Sequence, residues 1–150
     1  MNIIQRPLIW LNNNAQQIPD AVLLLTARLA AATPFWLSGR TKVNGWDFWN
    51  VTDSTVFLFE YEFALPVISP TIAATLSSIG EHVLPVLLIL GLFTRLGALG
   101  LIFMTLVIQT LVYPDAWTVH ILWFAPLLYL LARGGGSLSL DHLFRLDRLK

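Results

Sequence analysis

Four apolar runs, each about as long as a bilayer is thick, constrain this chain more than any other feature of it. A hydrocarbon layer of about 30 Å takes roughly 20 residues of helix. Segments 19–38, 71–92, 96–113 and 116–133 approach or reach that length with few charges inside them. Only 12% of the 150 residues are charged, where soluble domains carry about 25%. So few charges do not cover a soluble surface, and lipid is the expected solvent. Inside lipid every backbone polar group must bond within the chain, which favours helices.

The connectors then suggest the arrangement. Gly91-Leu92-Phe93-Thr94-Arg95 joins the second and third runs, and Tyr113-Pro114-Asp115 joins the third and fourth. Turns this short make antiparallel neighbours. The expected fold is all-α: a single polytopic domain over 1–150, an antiparallel bundle of four transmembrane helices with interfacial helices and one long loop, 39–70. Arg6, Arg95, Arg133, Arg145, Arg148 and Lys150 flank one side, against Arg40 and Lys42 on the other. Positive residues stay inside, so both termini are expected in the cytoplasm. Trp36, Trp46, Trp49 and Trp117 gather at the outer boundary as an aromatic belt does.

A cleaved leader is the competing reading of the start, since Ala30-Ala31-Ala32 resembles a cleavage site; Arg28 interrupts the apolar stretch and argues against it. Residues 1–18 instead read as an interfacial segment, with Pro7 in a first turn and Ile3, Ile4, Leu8, Ile9, Trp10 and Leu11 apolar. In the tail, Gly134-Gly135-Gly136 ends the fourth helix. Ser139 or Asp141 is placed to cap another, whose Leu143, Leu146 and Leu149 recur at helical spacing. Within the long loop, Phe57, Phe59, Tyr61 and Phe63 alternate with Glu60 and Glu62 as a strand would. A short helix capped at Thr52 or Ser54 is the favoured alternative, because a lone strand leaves its backbone unpaired.

Several chemistries are excluded at once. Without cysteine there are no disulfides, thiolate metal sites or iron–sulfur clusters. Nine basic residues balance nine acidic ones, which leaves no basic footprint for nucleic acid. No metal site is expected from so few His residues, and no covalently bound cofactor.

Charges inside the spans carry the functional signal. Arg28 lies about 13 Å into the first run and Glu81 about 15 Å into the second, counting 1.5 Å per residue. At one depth, an Arg28–Glu81 ion pair is the simplest way to neutralise both. Ala31, Ala32, Ala73, Ser77 and Gly80 leave room for the two helices to approach. His82 follows Glu81, while Gln109, Thr110 and His120 lie at a comparable outer depth. Together Arg28, Glu81, His82, Gln109 and His120 outline an outward-opening polar pocket able to take a quinone headgroup, relay protons or hold a metal transiently. The plain alternatives are a structural latch for Arg28–Glu81 and an interfacial hydrogen bond for His120.

The sequence also resembles the DoxX family. Arg28-Leu29 followed by Gly39-Arg40-Thr41-Lys42 is similar to that family's first helix. Gly80-Glu81 with Leu87-Leu88-Ile89-Leu90-Gly91-Leu92-Phe93-Thr94-Arg95 resembles its second motif, and Gly134-Gly135-Gly136-Ser137-Leu138-Ser139-Leu140-Asp141 its C-terminal ending. The resemblance implies a four-helix inner-membrane protein whose matching polar positions are Arg28, Lys42, Glu81 and Arg95. It also implies a link to quinone-dependent oxidoreductase complexes, to membrane complexes that counter oxidative stress, or to metal-binding peptides. His82 stands outside the family pattern.

Three functions follow as expectations. The first is an accessory redox subunit that engages a quinone while a partner supplies electrons. The second is a non-enzymatic module whose outer loop, with Trp46, Trp49, Phe57, Phe59 and Tyr61, docks a periplasmic protein or metal-binding peptide. The third is a small transporter or proton conduit, which at this length needs to oligomerise. A partner subunit or a second copy is therefore expected, beside the lipid.

Overall fold

A computed structural model describes residues 5–148, with Arg148 in backbone alone. The expected contacts of Ile3, Ile4 and Leu149 and the charge of Lys150 lie outside the described residues. The chain is all-α. Helix α1 spans Gln5–Ala15, α2 Asp20–Thr41, α3 Asp53–Tyr61, α4 Pro70–Leu90, α5 Thr94–Val107, α6 Trp117–Arg133 and α7 Leu140–Leu143. A π-helical turn, Ile108–Val112, prolongs α5.

Local signals place these ends. Asp20 sits in the first turn of α2 and Arg40 in its last, each favourable to the helix dipole. Pro70 opens α4, where its missing N–H costs nothing. Gly91 closes α4 in the left-handed region (φ 66°), its N–H returning to the carbonyls of Leu87 and Leu88. Helix wins over strand at 53–61 because the Thr52 hydroxyl accepts from Thr55 N and Phe59 is buried beside Ala73 and Ala74.

Three of the helices, Asp20–Thr41, Pro70–Leu90 and Thr94–Val112 with its π turn, are long and apolar enough to cross a membrane; Trp117–Arg133 is apolar and shorter. Helix α2 packs against α4 and α6, and α5 packs against the same two. Leu88, Leu101, Leu127 and Leu130 are fully buried between them, beside Ala31, Ala32 and Ala98. Outward, Leu96, Phe103 and Leu122 are more than half exposed. A molecule apolar inside and out is suited to lipid.

The helices meet at glycines. A Cβ on Gly39 would stand 3.0 Å from Glu81 Cβ and from His82 Cε1, while Gly91 lies against the Arg28 guanidinium. This register displaces the two charges expected to pair. Gly39 lies level with Glu81, and Arg28 is eleven residues before Gly39, about 16 Å away along the axis. Equal depths had assumed that α2 and α4 end together. The Pro70 end of α4 instead runs on past Thr41, and α3 packs against that extension.

The tail also departs from expectation. Ser139 caps α7, accepting from His142 N, but α7 has only four residues. Asp141 turns inward and is buried. Its two carboxylate oxygens accept from the N–H groups of Phe93 and Thr94 at 2.7 and 2.9 Å, which caps α5 from a distant part of the chain. Leu143 remains exposed, as do Leu8, Trp10 and Leu11 of α1.

Candidate functional site

Lys42 Nζ lies 2.6 Å from Glu81 Oε2, and both side chains are buried. Ser38, one helical turn before Lys42, accepts from Lys42 Nζ at 2.9 Å and donates to Glu81 Oε1 at 3.2 Å. The loop clamps this lysine through its backbone. The Lys42 carbonyl accepts from Thr52 N and from Thr55 Oγ1, and Val43 bridges to Val51. By charge alone, Lys42 reads as a loop cation beside the spans. The signal that identifies it is its spacing: i+4 from Ser38, and three residues beyond the glycine that admits Glu81.

The Arg28–Glu81 pair is thus replaced by two separate sites. Arg28 donates from Nη1 to the carbonyls of Gly135 (3.0 Å) and Leu138 (2.7 Å) and from Nη2 to that of Ile89 (3.2 Å). Asp141 supplies the opposing charge. A planar guanidinium is suited to such a fork of acceptors. Arg28, Gly91, Thr94 and Asp141 therefore form a latch that ties the tail to the α4–α5 turn.

A cavity of about 500 Å³ adjoins the other site. Lys42, Glu81, Ser38 and Ser77 contribute to its wall, with His120 and Tyr113; the rest is apolar, including Phe59, Met104, Ile108 and Leu111. The π turn supplies Ile108, Leu111 and Val112, a widening of the helix of the kind that recurs at functional sites. Tyr113 donates to Glu62 and meets Phe63 edge-on, which joins the α3–α4 loop to the α5–α6 turn.

Of the five pocket residues expected from sequence, Glu81 and His120 line this cavity. Gln109 does not line it but bonds His120, its Oε1 2.6 Å from His120 Nδ1. Arg28 lies in the latch. His82 points to the opposite side of α2 from Glu81, because adjacent helical residues diverge by about 100°. It stacks on Phe48 (centroids 4.1 Å apart), meets Trp36 edge-on, and bonds the Ser78 carbonyl through Nδ1 at 2.7 Å. Ser78 in turn donates to the Phe48 carbonyl. His82 thereby fastens the loop over α4. Among the described residues no group of three or more His, Asp or Glu side chains is placed to share a metal ion.

Arg28, Lys42, Glu81 and Arg95 are the polar positions of the family resemblance, and the DoxX family model matches residues 23–120. The chain belongs to the DoxX family. An uncharacterized protein of Haemophilus influenzae is similar to it, 30% identical over 139 residues that cover 87% of this chain and 88% of the relative. No solved structure matches. With its apolar helices, this DoxX protein is a membrane protein. Three DoxX polar positions have separate structural tasks: Lys42 and Glu81 neutralise each other at the cavity, and Arg28 holds the latch. The fourth, Arg95, is exposed and reaches the Ala132 carbonyl at 3.4 Å. Asp141, the latch's anion, lies beyond the matched residues.

Proposed function

We propose that this DoxX protein is an accessory subunit of a quinone-linked redox complex in the bacterial inner membrane, and that the cavity at Lys42–Glu81 binds the quinone. The observation that carries this reading is an apolar cavity of about 500 Å³ with a buried ion pair in its wall. Small-molecule sites are of this size and mix, apolar walls with a few fixed polar groups. A quinone is apolar except for its carbonyl oxygens, and so fits the donor set. Lys42 has one long contact, 3.5 Å to the Ser38 carbonyl, and a ligand carbonyl would take over that hydrogen. When bound, the quinone supplies the electron-accepting chemistry. The chain's own residues position it: Lys42 donates, Glu81 and Ser38 hold the Lys42 ammonium in place, and the apolar walls exclude water.

Contacts at both ends of the helices support a four-span antiparallel bundle forming one domain. Gly39 meets Glu81 towards one end of α2 and α4 and Gly91 meets Arg28 towards the other, while Gln109 meets His120 at one end of α5 and α6 and Arg95 meets Ala132 at the other. Burial of Lys42 in the pair leaves Arg40 as the outer cation beside the spans, which strengthens the charge argument for cytoplasmic termini. The natural absence of cysteine makes a direct test simple. Single cysteines at Asn44 and Ser137 should label from opposite sides of sealed vesicles.

Quinone binding is tested with purified protein in nanodiscs and a decyl-substituted benzoquinone. Saturable binding that raises the unfolding temperature, and that weakens in Lys42→Met, is expected. No binding, together with no quinone in the lipid extract, overturns the reading.

A second reading, docking of a periplasmic partner, is favoured by the exposure of Trp46, Trp49, Phe57 and Tyr61 on the loop side. Such aromatic residues anchor interfaces. Loss of a co-purifying subunit on changing Trp49 and Phe57 to Ser would support it; unchanged recovery counts against it.

A further inference from the structure

The cavity has a second polar point whose hydrogen-bond polarity is fixed by residues outside it. Gln109 donates from its amide nitrogen to the Pro114 carbonyl, so its own oxygen is the atom presented to His120. An amide oxygen only accepts. His120 Nδ1 must therefore carry the proton and donate to it. In the neutral ring the other nitrogen, Nε2, is then an acceptor. The Nδ1 edge is turned to Gln109, which is not part of the wall, while His120 itself lines the cavity, so Nε2 is the ring nitrogen left to offer a ligand there. His120 is only 2% exposed, and a tilted contact with Trp123, centroids 5.0 Å apart, holds the ring in place.

We propose that His120 Nε2 is a hydroxyl-accepting, specificity-determining group of this cavity, with Gln109 as the positioning residue that fixes its tautomer. The site is then built to favour ligands that present an O–H group on an apolar ring over ligands that present a bare carbonyl or an ether there. Resting on the cavity reading above, this assigns the reduced, phenol-like form of a ring ligand as the one His120 selects. A hydroxyl placed at Nε2 gains a hydrogen bond in a water-poor site, whereas an ether oxygen placed there faces another acceptor and gains none.

The π turn gives the arrangement a local cause. Gln109 lies within Ile108–Val112, where the wider helix shifts side chains relative to a regular turn, and the carbonyl it bonds belongs to the proline that follows this segment. The sequence Gln109-Thr110-Leu111-Val112-Tyr113-Pro114 thus provides both the acceptor for His120 and the anchor that stops the amide from flipping.

The test uses the full chain in nanodiscs and a redox-inert pair of probes, nonylphenol and its methyl ether, with the decyl-substituted benzoquinone as a third. The phenol is expected to bind about three- to tenfold more tightly than the ether, the range of one net hydrogen bond. His120→Phe and Gln109→Leu should both bring that ratio close to one. Nitrogen-15 spectra of imidazole-labelled protein, with His120→Phe used for assignment, should show the proton on Nδ1 without any ligand. Equal binding of phenol and ether, or a proton on Nε2, overturns the inference even if the benzoquinone binds. Failure of the benzoquinone alone overturns the quinone reading and leaves the hydroxyl preference standing. Failure of all three probes overturns both.

Discussion

Lys42 meets Glu81 across two packed helices, beside the point where Gly39 lets α2 settle onto α4. The pair has a definite energetic signature. Removing one member of a buried pair strands the other and costs about 3–5 kcal/mol, while removing both costs much less. Lys42→Met or Glu81→Leu should each lower the unfolding temperature strongly. The double variant should recover most of that loss. Thermal unfolding of all three in one detergent checks the pattern, and additive losses would rule out a direct pair.

Asp141 makes a different prediction, because its work is local to a helix end. Loss of a cap costs about 0.5–2 kcal/mol. Asp141→Ala should exceed that range, since it also removes the opposing charge of Arg28. Asp141→Asn keeps a capping oxygen and should cost less than Ala. The tail should become sensitive to limited proteolysis in Asp141→Ala and in Arg28→Leu, and remain protected in Lys42→Met. Equal sensitivity in all three would mean that the latch and the cavity site are one cooperative unit.

Helix identity was legible in the sequence, and register was not. Apolar length, Pro70, Gly91 and the Thr52 cap place the elements to within a few residues, because each acts within one or two turns. The Arg28–Glu81 pairing failed because it required two helices to end at one level. A protruding α4, supported by α3 packed on it, is a property of the assembled structure. Lys42 was recognisable as a family position, yet its burial depends on a loop that closes through Thr52, Thr55 and Val51. Of the two residues expected to cap the tail helix, Ser139 does so, while Asp141 caps α5 instead. A cap made 47 residues away leaves no trace in local spacing. Gln109 and His120 are closer to legible: both were singled out by depth, and their bond spans a short turn.

In the loop between α2 and α3, Asp47 accepts from the Asn50 side chain and from the backbone N–H groups of Trp49 and Asn50. The Asn50 amide, foremost, holds its carboxyl below the ordinary aspartate value. A depressed folded-state pKa means that this turn contributes stability above the unfolded value of about 3.9, and loses it as pH falls through the lower folded value. Carbon-13 titration of Asp47 should therefore give a value below that of a free aspartate, and Asn50→Ala should raise it toward normal. No change on Asn50→Ala would mean that the backbone donors alone hold the turn.

His82 separates a packing residue from a ligand residue. Its ring fills the space between Phe48 and Trp36 at 1% exposure, and Nε2 has no partner there. An aromatic replacement keeps the stack and removes a buried, unsatisfied nitrogen, whose burial itself costs energy. It gives up the Nδ1 bond to Ser78, worth about 1 kcal/mol. These effects oppose each other, so His82→Phe should change stability little. His82→Ala leaves a void under Phe48 and should cost about 2–4 kcal/mol, as large-to-small core changes do. Ligand binding at the cavity should follow stability in both variants, since His82 faces away from the wall that Glu81 lines. A fully stable His82→Phe protein that no longer binds the benzoquinone would show instead that the imidazole acts on the ligand, through a rearrangement of the loop that brings it round α2.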